Sequence, residues 1–190
     1  MGGSAAAPLI GVVALQGGFA AHAAMLRSLG ARVREVRTPR DLEGVDGLVW
    51  PGGESTTMTL GVEREGLAEP VRALVAAGTP VFGTCAGLIM LDREHLGVMD
   101  IRTRRNAFGR QAHSFEADLE LPGVEGGPLR AVFIRAPWIV EAGPDVAILA
   151  SVDGHSVAAQ QGRLLAVSFH PELSGDTRLH ERFLRLVGAS

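Results

Sequence analysis

Three short apolar runs constrain the fold most. Leu9-Ile10-Gly11-Val12-Val13-Ala14-Leu15, Gly47-Leu48-Val49-Trp50 and Pro80-Val81-Phe82-Gly83 are apolar at nearly every position rather than at alternate ones. A strand with one wet face alternates; a strand covered on both faces does not. The stretches between these runs have helical character. Met25, Leu26 and Leu29 share a helix face that closes at Gly30, and Ser55 to Ala77 reads as mostly helical with a break near Gly61 or Gly66. Val33 to Val36 is a weaker strand, and Ala86 to Arg93 reads as a helix. Strand–helix alternation of this kind predicts parallel strands joined by helical crossovers.

The later part of the chain changes character. Phe115, Ala117, Leu119 and Leu121 alternate with polar residues. Ala131 to Ile134, Val146 to Ser151, Val157 to Gln160 and Leu164 to Phe169 read as further strands separated by turns. A closing amphipathic helix carries Leu179, Phe183, Leu186 and Val187. The expected fold is therefore α/β: a doubly wound, mostly parallel sheet with flanking helices and an antiparallel extension. Nothing splits it. Residues 1–8 are expected to be a flexible tail and residues 9–190 a single domain, a comfortable size for one core.

Bulk properties exclude several functions. The net charge of -3 argues against a nucleic-acid partner. No apolar run approaches a membrane span, and the N-terminus lacks the basic region of a secretory signal. The single cysteine precludes an internal disulfide and suits a reducing, cytoplasmic setting. No metal-ligand spacing or nucleotide-binding glycine loop is present, so neither a metal nor a cofactor is expected.

In open α/β sheets the site lies beyond the carboxyl ends of the strands. Three motifs fall there. Gly83-Thr84-Cys85-Ala86-Gly87 joins a strand to a helix and has the Gly-x-nucleophile-x-Gly form of an elbow, where small neighbours permit an unusual central backbone. A lone cysteine is more often a small buried hydrophobe; the strand–elbow–helix setting makes Cys85 a candidate nucleophile instead. Of six histidines, His170 alone directly follows a strong strand, and the others are expected mostly on the surface or on helices. Glu172 lies two residues on, so the two form a candidate base–orienter pair. Pro51-Gly52-Gly53-Glu54 ends a strand at the same edge. A Gly53 amide with that of Ala86 would make an oxyanion hole.

These motifs, with Ala14-Leu15-Gln16-Gly17, Gly52-Gly53-Glu54-Ser55-Thr56-Thr57-Met58, Arg105-Asn106-Ala107-Phe108-Gly109-Arg110-Gln111, Phe133-Ile134-Arg135-Ala136-Pro137 and Ser168-Phe169-His170-Pro171-Glu172-Leu173, give the chain a resemblance. It resembles the triad-type (class I) glutamine amidotransferases, and among them the glutaminase subunits of pyridoxal 5′-phosphate synthase, from about Ile10 to the last helix. The resemblance implies a Cys85–His170–Glu172 triad that hydrolyses L-glutamine. It implies that Gly52, Gly53, Glu54, Arg105, Ile134 and Arg135 border the glutamine. It also implies docking on a large synthase ring that receives the ammonia and switches the glutaminase on. Arg102 and Arg104 are expected to be a solvated basic face. One departure stands out: Leu91-Asp92-Arg93-Glu94-His95-Leu96-Gly97 is a shorter connection than this family usually carries. A cysteine-elbow deglycase pairs its thiol with an early acidic residue and lacks a late His-x-Glu. A non-enzymatic glutamine sensor has no need of all three triad positions.

Overall fold

The structure, a computed structural model, describes residues 6–108 and 114–189. Gly109, Arg110 and Gln111 of the predicted motif lie outside the described residues.

In chain order the first half runs β1 (Leu9–Val13), α1 (Phe19–Ser28), β2 (Arg32–Val36), a short 3-10 turn (Pro39–Leu42), β3 (Gly47–Trp50), α2 (Ser55–Glu65), α3 (Ala68–Ala76), β4 (Val81–Thr84) and α4 (Ala86–Leu91). The second half runs β5 (Ile101–Arg104), β6 (Ser114–Leu119), β7 (Leu129–Ile134), β8 (Trp138–Ala142), β9 (Ala147–Val152), β10 (His155–Gln161), β11 (Leu164–Val167), α5 (Pro171–Ser174) and α6 (Arg178–Gly188). The main sheet is ordered β2-β1-β3-β4-β11-β10-β8-β5, with β9 also paired to β10; β6 and β7 form a separate hairpin. From β2 across to β11 every pairing is parallel, and beyond β11 every pairing is antiparallel. The expected α/β architecture with an antiparallel extension is what forms.

The sheet separates two cores. Leu48, Trp50 and Val81 face a cluster with Met58, Val62, Val71 and Leu88 from α2, α3 and α4. Val49, Phe82 and Val167 face the other cluster, with Leu26 of α1, Phe183 and Val187 of α6, and Phe133 of the hairpin. Successive strand residues thus alternate between two apolar layers, so these strands carry no polar face.

Local signals explain the boundaries. Gly66 ends α2 in the left-handed conformation at φ 67°, so the predicted helical stretch breaks there. Gly61 stays inside α2, its Cα side packed on Leu15. β5 and β8 were not among the expected strands; β5 alternates but over only four residues, and β8 buries Ile139 alone. Two histidines expected on the surface or on helices, His22 of α1 and His180 of α6, are on helices and fully buried.

The short connection after α4 is closed by one carboxylate. Asp92, 1% exposed, accepts from the backbone N–H groups of Glu94 and His95 and from His95 Nδ1 at 2.7 Å, and from the Thr103 hydroxyl at 2.5 Å. Burial alone would raise its pKa. The hydrogen bonds from His95 and Thr103 outweigh that and hold it below the usual carboxylate range.

Candidate functional site

The carboxyl ends of β3, β4 and β11 are adjacent, because β4 pairs with both neighbours in parallel. Each end carries one of the predicted motifs. Trp50 of β3 leads into Gly52-Gly53, Thr84 of β4 leads into Cys85, and Val167 of β11 leads through Ser168 and Phe169 to His170.

Cys85 sits on the elbow at φ 51° and ψ -110°, outside the regions that residues with a Cβ normally occupy. Its N–H donates to the Val167 carbonyl at 2.9 Å, which pins the elbow to β11. The flanking glycines permit the turn by contact rather than by φ. A Cβ on Gly87 would lie 2.0 Å from the Trp50 carbonyl oxygen, and one on Gly83 would lie 2.8 Å from that of Gly87. The start of α4 therefore presses directly on the end of β3.

His170 heads α5, where Pro171 fits the first helical position and needs no N–H partner. Its Nδ1 lies 2.7 Å from Glu172 Oε1. Its ring and the Cys85 side chain line the same cavity. Burial by itself would lower the His170 pKa; the neighbouring Cys85 side chain and the hydrogen-bonded Glu172 carboxylate overcome this and raise it to about 10. Burial likewise opposes ionisation of Glu172, yet the hydrogen bond from His170 and the close approach of His22 hold its carboxyl far below the ordinary range. The arrangement favours an imidazolium held between a sulfur and a carboxylate. Gly52 backs this group: a Cβ there would lie 2.7 Å from His170 Cε1 and 3.1 Å from Cys85 Cβ.

A cavity of about 330 Å³ opens over the sulfur, at the lower end of the range for small ligands. Of the predicted residues, Gly53, Glu54, Cys85, Ala86, Arg105, Ile134, Arg135 and His170 line it. Gly52 and Glu172 stand behind this lining, against His170. The Cys85 sulfur is 4.0 Å from the Ile134 carbonyl oxygen, which brings the end of β7 into the site. Among the described residues four non-glycines have positive φ, and three of them, Cys85, Asn106 and Arg135, line this cavity. Such clustering is typical of functional sites.

Glu54 lines the cavity with its carboxylate already engaged. It caps α2, accepting from the N–H groups of Thr56 and Thr57 at 3.2 and 2.8 Å. Those bonds hold its pKa below the ordinary value. Arg105 donates to the Thr56 hydroxyl at 3.0 Å from the opposite wall. Arg102 and Arg104 are exposed, as expected of a solvated face.

Further residues of the site were not singled out from sequence. Gln16 accepts from the Glu54 N–H through Oε1 at 2.6 Å, and the Gly18 N–H donates to the Gly52 carbonyl at 3.0 Å, so the loop after β1 braces the Gly52-Gly53 turn. A Cβ on Gly17 would lie 1.8 Å from the Gly52 oxygen, so only glycine allows this approach. Ser55, Ile89, Asn106 and Pro137 complete the wall. Gln16, Gly17, Ser55, Asn106 and Pro137 belong to the family motif strings, which was the available signal. Among the described residues no cluster of His, Cys, Asp and Glu could hold a metal, and no helix is long and apolar enough to cross a membrane.

Comparison with known proteins gives this geometry its relatives. Residues 12–189 match the SNO glutamine amidotransferase family. The pyridoxal 5′-phosphate synthase subunit PdxT of Acidothermus cellulolyticus is 54% identical over 96% of this chain and 95% of its own length. The PdxT subunit of Saccharopolyspora erythraea is 50% identical, with both chains covered in full. A crystal structure of a glutamine amidotransferase superposes with a TM-score of 0.89 at 45% identity, covering 95% of this chain and 99% of that one. PurLQS from Thermotoga maritima, at 16% identity, shares the fold with a TM-score of 0.76 over 94% of this chain and 98% of that one. The chain is an enzyme of the SNO glutamine amidotransferase family.

Proposed function

We propose that the chain hydrolyses L-glutamine to L-glutamate and ammonia through a Cys85–His170–Glu172 triad, and that it supplies the ammonia to a pyridoxal 5′-phosphate synthase subunit. The observation that carries this reading is the strained Cys85 elbow facing a histidine already paired to a buried carboxylate.

Cys85 enters the reaction as a thiolate and His170 as an imidazolium. The sulfur attacks the side-chain amide carbon, and the carbonyl oxygen takes the negative charge. That oxyanion is stabilised by the N–H of Gly53 and the N–H of Ala86, which has no partner earlier in its helix. His170 passes its proton to the amide nitrogen. Ammonia leaves, and a thioester to Cys85 remains. His170, now neutral, removes a proton from water. The hydroxide adds to the thioester carbon, and collapse releases glutamate and restores the thiolate and the imidazolium. Glu172 keeps the His170 ring aligned throughout. Arg105 and the Ile134-Arg135 backbone hold the α-carboxylate and α-ammonium of glutamine, with Gly52, Gly53 and Glu54 forming the facing wall.

Ammonia released into water is protonated and ceases to be a nucleophile, so the product has to reach its acceptor inside an assembly. The PdxT relatives are subunits of such a synthase. The partner in this reading is the large synthase ring, and the isolated chain turns over slowly. A free thiol nucleophile goes with a cytoplasmic setting.

The decisive experiment treats the chain, with and without its synthase partner, with a glutamine-analogue electrophile. Mass spectrometry should find one adduct on Cys85, formed faster in the complex. Undiminished glutamine hydrolysis by Cys85→Ala in the complex would overturn the assignment.

A further inference from the structure

Behind Glu172, on the side away from His170, two histidines are buried that the proposed chemistry does not use. His22 and His180 are both 0% exposed. His22 Nε2 lies 3.3 Å from Glu172 Oε2 and 3.0 Å from the Thr84 hydroxyl oxygen, next to the elbow. His22 Nδ1 lies 2.8 Å from His180 Nε2. The edges and faces around the two rings are aromatic: Phe82 meets both at near right angles. His180 Nδ1 has no hydrogen-bond partner.

One placement of the ring protons satisfies this set. His180 Nε2–H donates to His22 Nδ1, and His22 Nε2–H points between Glu172 Oε2 and Thr84 Oγ1. The missing partner on His180 then falls on a bare lone pair rather than on a buried N–H. That is the cheaper orphan, because a carbonyl-like acceptor is more often left unpaired than a donor. Burial keeps His180 neutral, with its pKa lowered to about 3. Glu172 Oε1 is committed to His170, and Oε2 has no in-line hydrogen bond of its own. His22 is thus the one polar side chain within reach of the second oxygen among the described contacts.

We propose that His22 is a positioning residue for the triad: it holds Glu172 from the side opposite His170, while His180 fixes its tautomer. The inference rests on the triad reading given above. Without His22 the carboxylate is free to rotate about its last bond, and the angle it presents to His170 is lost. Because Thr84 shares the same N–H, His22 also ties the carboxylate to the strand that carries the elbow.

The test uses the complex with the synthase subunit and measures glutaminase kcat, the KM for glutamine and the pH profile of kcat. His22→Leu should lower kcat by about ten- to a hundredfold, as expected for losing a close polar contact to a buried charged group. KM should stay within about twofold, and the alkaline limb of the profile should move to lower pH as the His170 imidazolium loses a well-aligned carboxylate. His22→Gln places an N–H where Nε2 lies and should recover most of kcat, whereas His22→Asn falls short of Glu172 and should not. That pair decides the matter even if the leucine variant does not fold. Native kcat with an unshifted profile in His22→Leu overturns the proposal, as does equal impairment of the Gln and Asn variants. Cys85→Ala, run alongside, separates the two readings. Full activity in that variant refutes the triad, while its inactivity together with an unaffected His22→Asn refutes only the role of His22.

Discussion

Gly52→Ala offers a clean perturbation of the site. The backbone of Gly52 is not left-handed, so the new methyl adds no torsional strain. Its whole effect comes from contact. The added Cβ would stand 2.7 Å from His170 Cε1 and 3.1 Å from Cys85 Cβ, against an ordinary contact of at least 3.4 Å. The histidine ring must yield by about 0.7 Å or the turn must move back. Moving the turn is resisted, because the Gly52 carbonyl is bonded to Gly18 N–H and lies against Gly17. The ring is therefore the part that shifts, which changes its spacing from Cys85. A displacement approaching 1 Å between reacting groups costs on the order of a hundredfold in rate. Overpacking of this size destabilises by about 1–3 kcal/mol, which for a chain of this length lowers Tm by roughly 2–12 °C. Steady-state glutamine hydrolysis by the complex, paired with a thermal melt, checks both numbers. A folded Gly52→Ala variant with kcat within threefold of the native value would refute the claim that this glycine spaces His170 from Cys85.

Further predictions concern charge and anchoring. Glu172, with its pKa depressed from 4.5, stabilises the fold fully above that value and loses the contribution on acidification. His170, raised from 6.5 to about 10, contributes fully below 6.5 and loses its share as pH rises through about 10. The Tm difference between native protein and Glu172→Gln should therefore be greatest between pH 4.5 and 6.5 and shrink toward pH 10; a difference that grows with alkalinity contradicts the assignment. Arg105→Ala should raise the KM for glutamine by roughly ten- to a hundredfold with kcat little changed, because the arginine binds ground and transition states alike; steady-state kinetics of the complex decide it. Asp92→Ala leaves several donors of the short connection unpaired and should cost about 3 kcal/mol, or roughly 6–12 °C in Tm, while glutaminase kcat at low temperature stays near native.

Much of this arrangement is legible in the sequence, for physical reasons that can be traced. The runs that are apolar throughout announce strands buried on both faces, and Val49 and Leu48 do face opposite cores. The nucleophile elbow is local, so five residues suffice to mark it. The His170–Glu172 pair is nearly as local, being two positions apart on one turn. What escapes the sequence is what depends on distant contacts. At the two candidate breaks, Gly66 turns left-handed and ends α2, while Gly61 stays helical as the small residue against Leu15. β8 has only Ile139 buried among five residues, which leaves no periodicity to detect. His22 shares the buried face of α1 with Ala23 and Leu26, a visible hint of a satisfied core histidine, but its partners are 62, 150 and 158 positions away. Likewise Glu54 reads from its motif as a substrate wall, while its carboxylate serves first to start α2.

The backbone at position 85 bears on why a sulfur is there at all. At φ 51° and ψ -110° any side chain is uncomfortable, by something like 1–3 kcal/mol, and glycine alone would be at ease. Alanine would inherit the discomfort without the thiol. A chain with no use for the sulfur would be better served by glycine, which removes the tension and makes the protein harder to unfold. Cysteine at its least hospitable position is therefore an argument in its own right, independent of any neighbour, that this molecule keeps its thiol for what the thiol does.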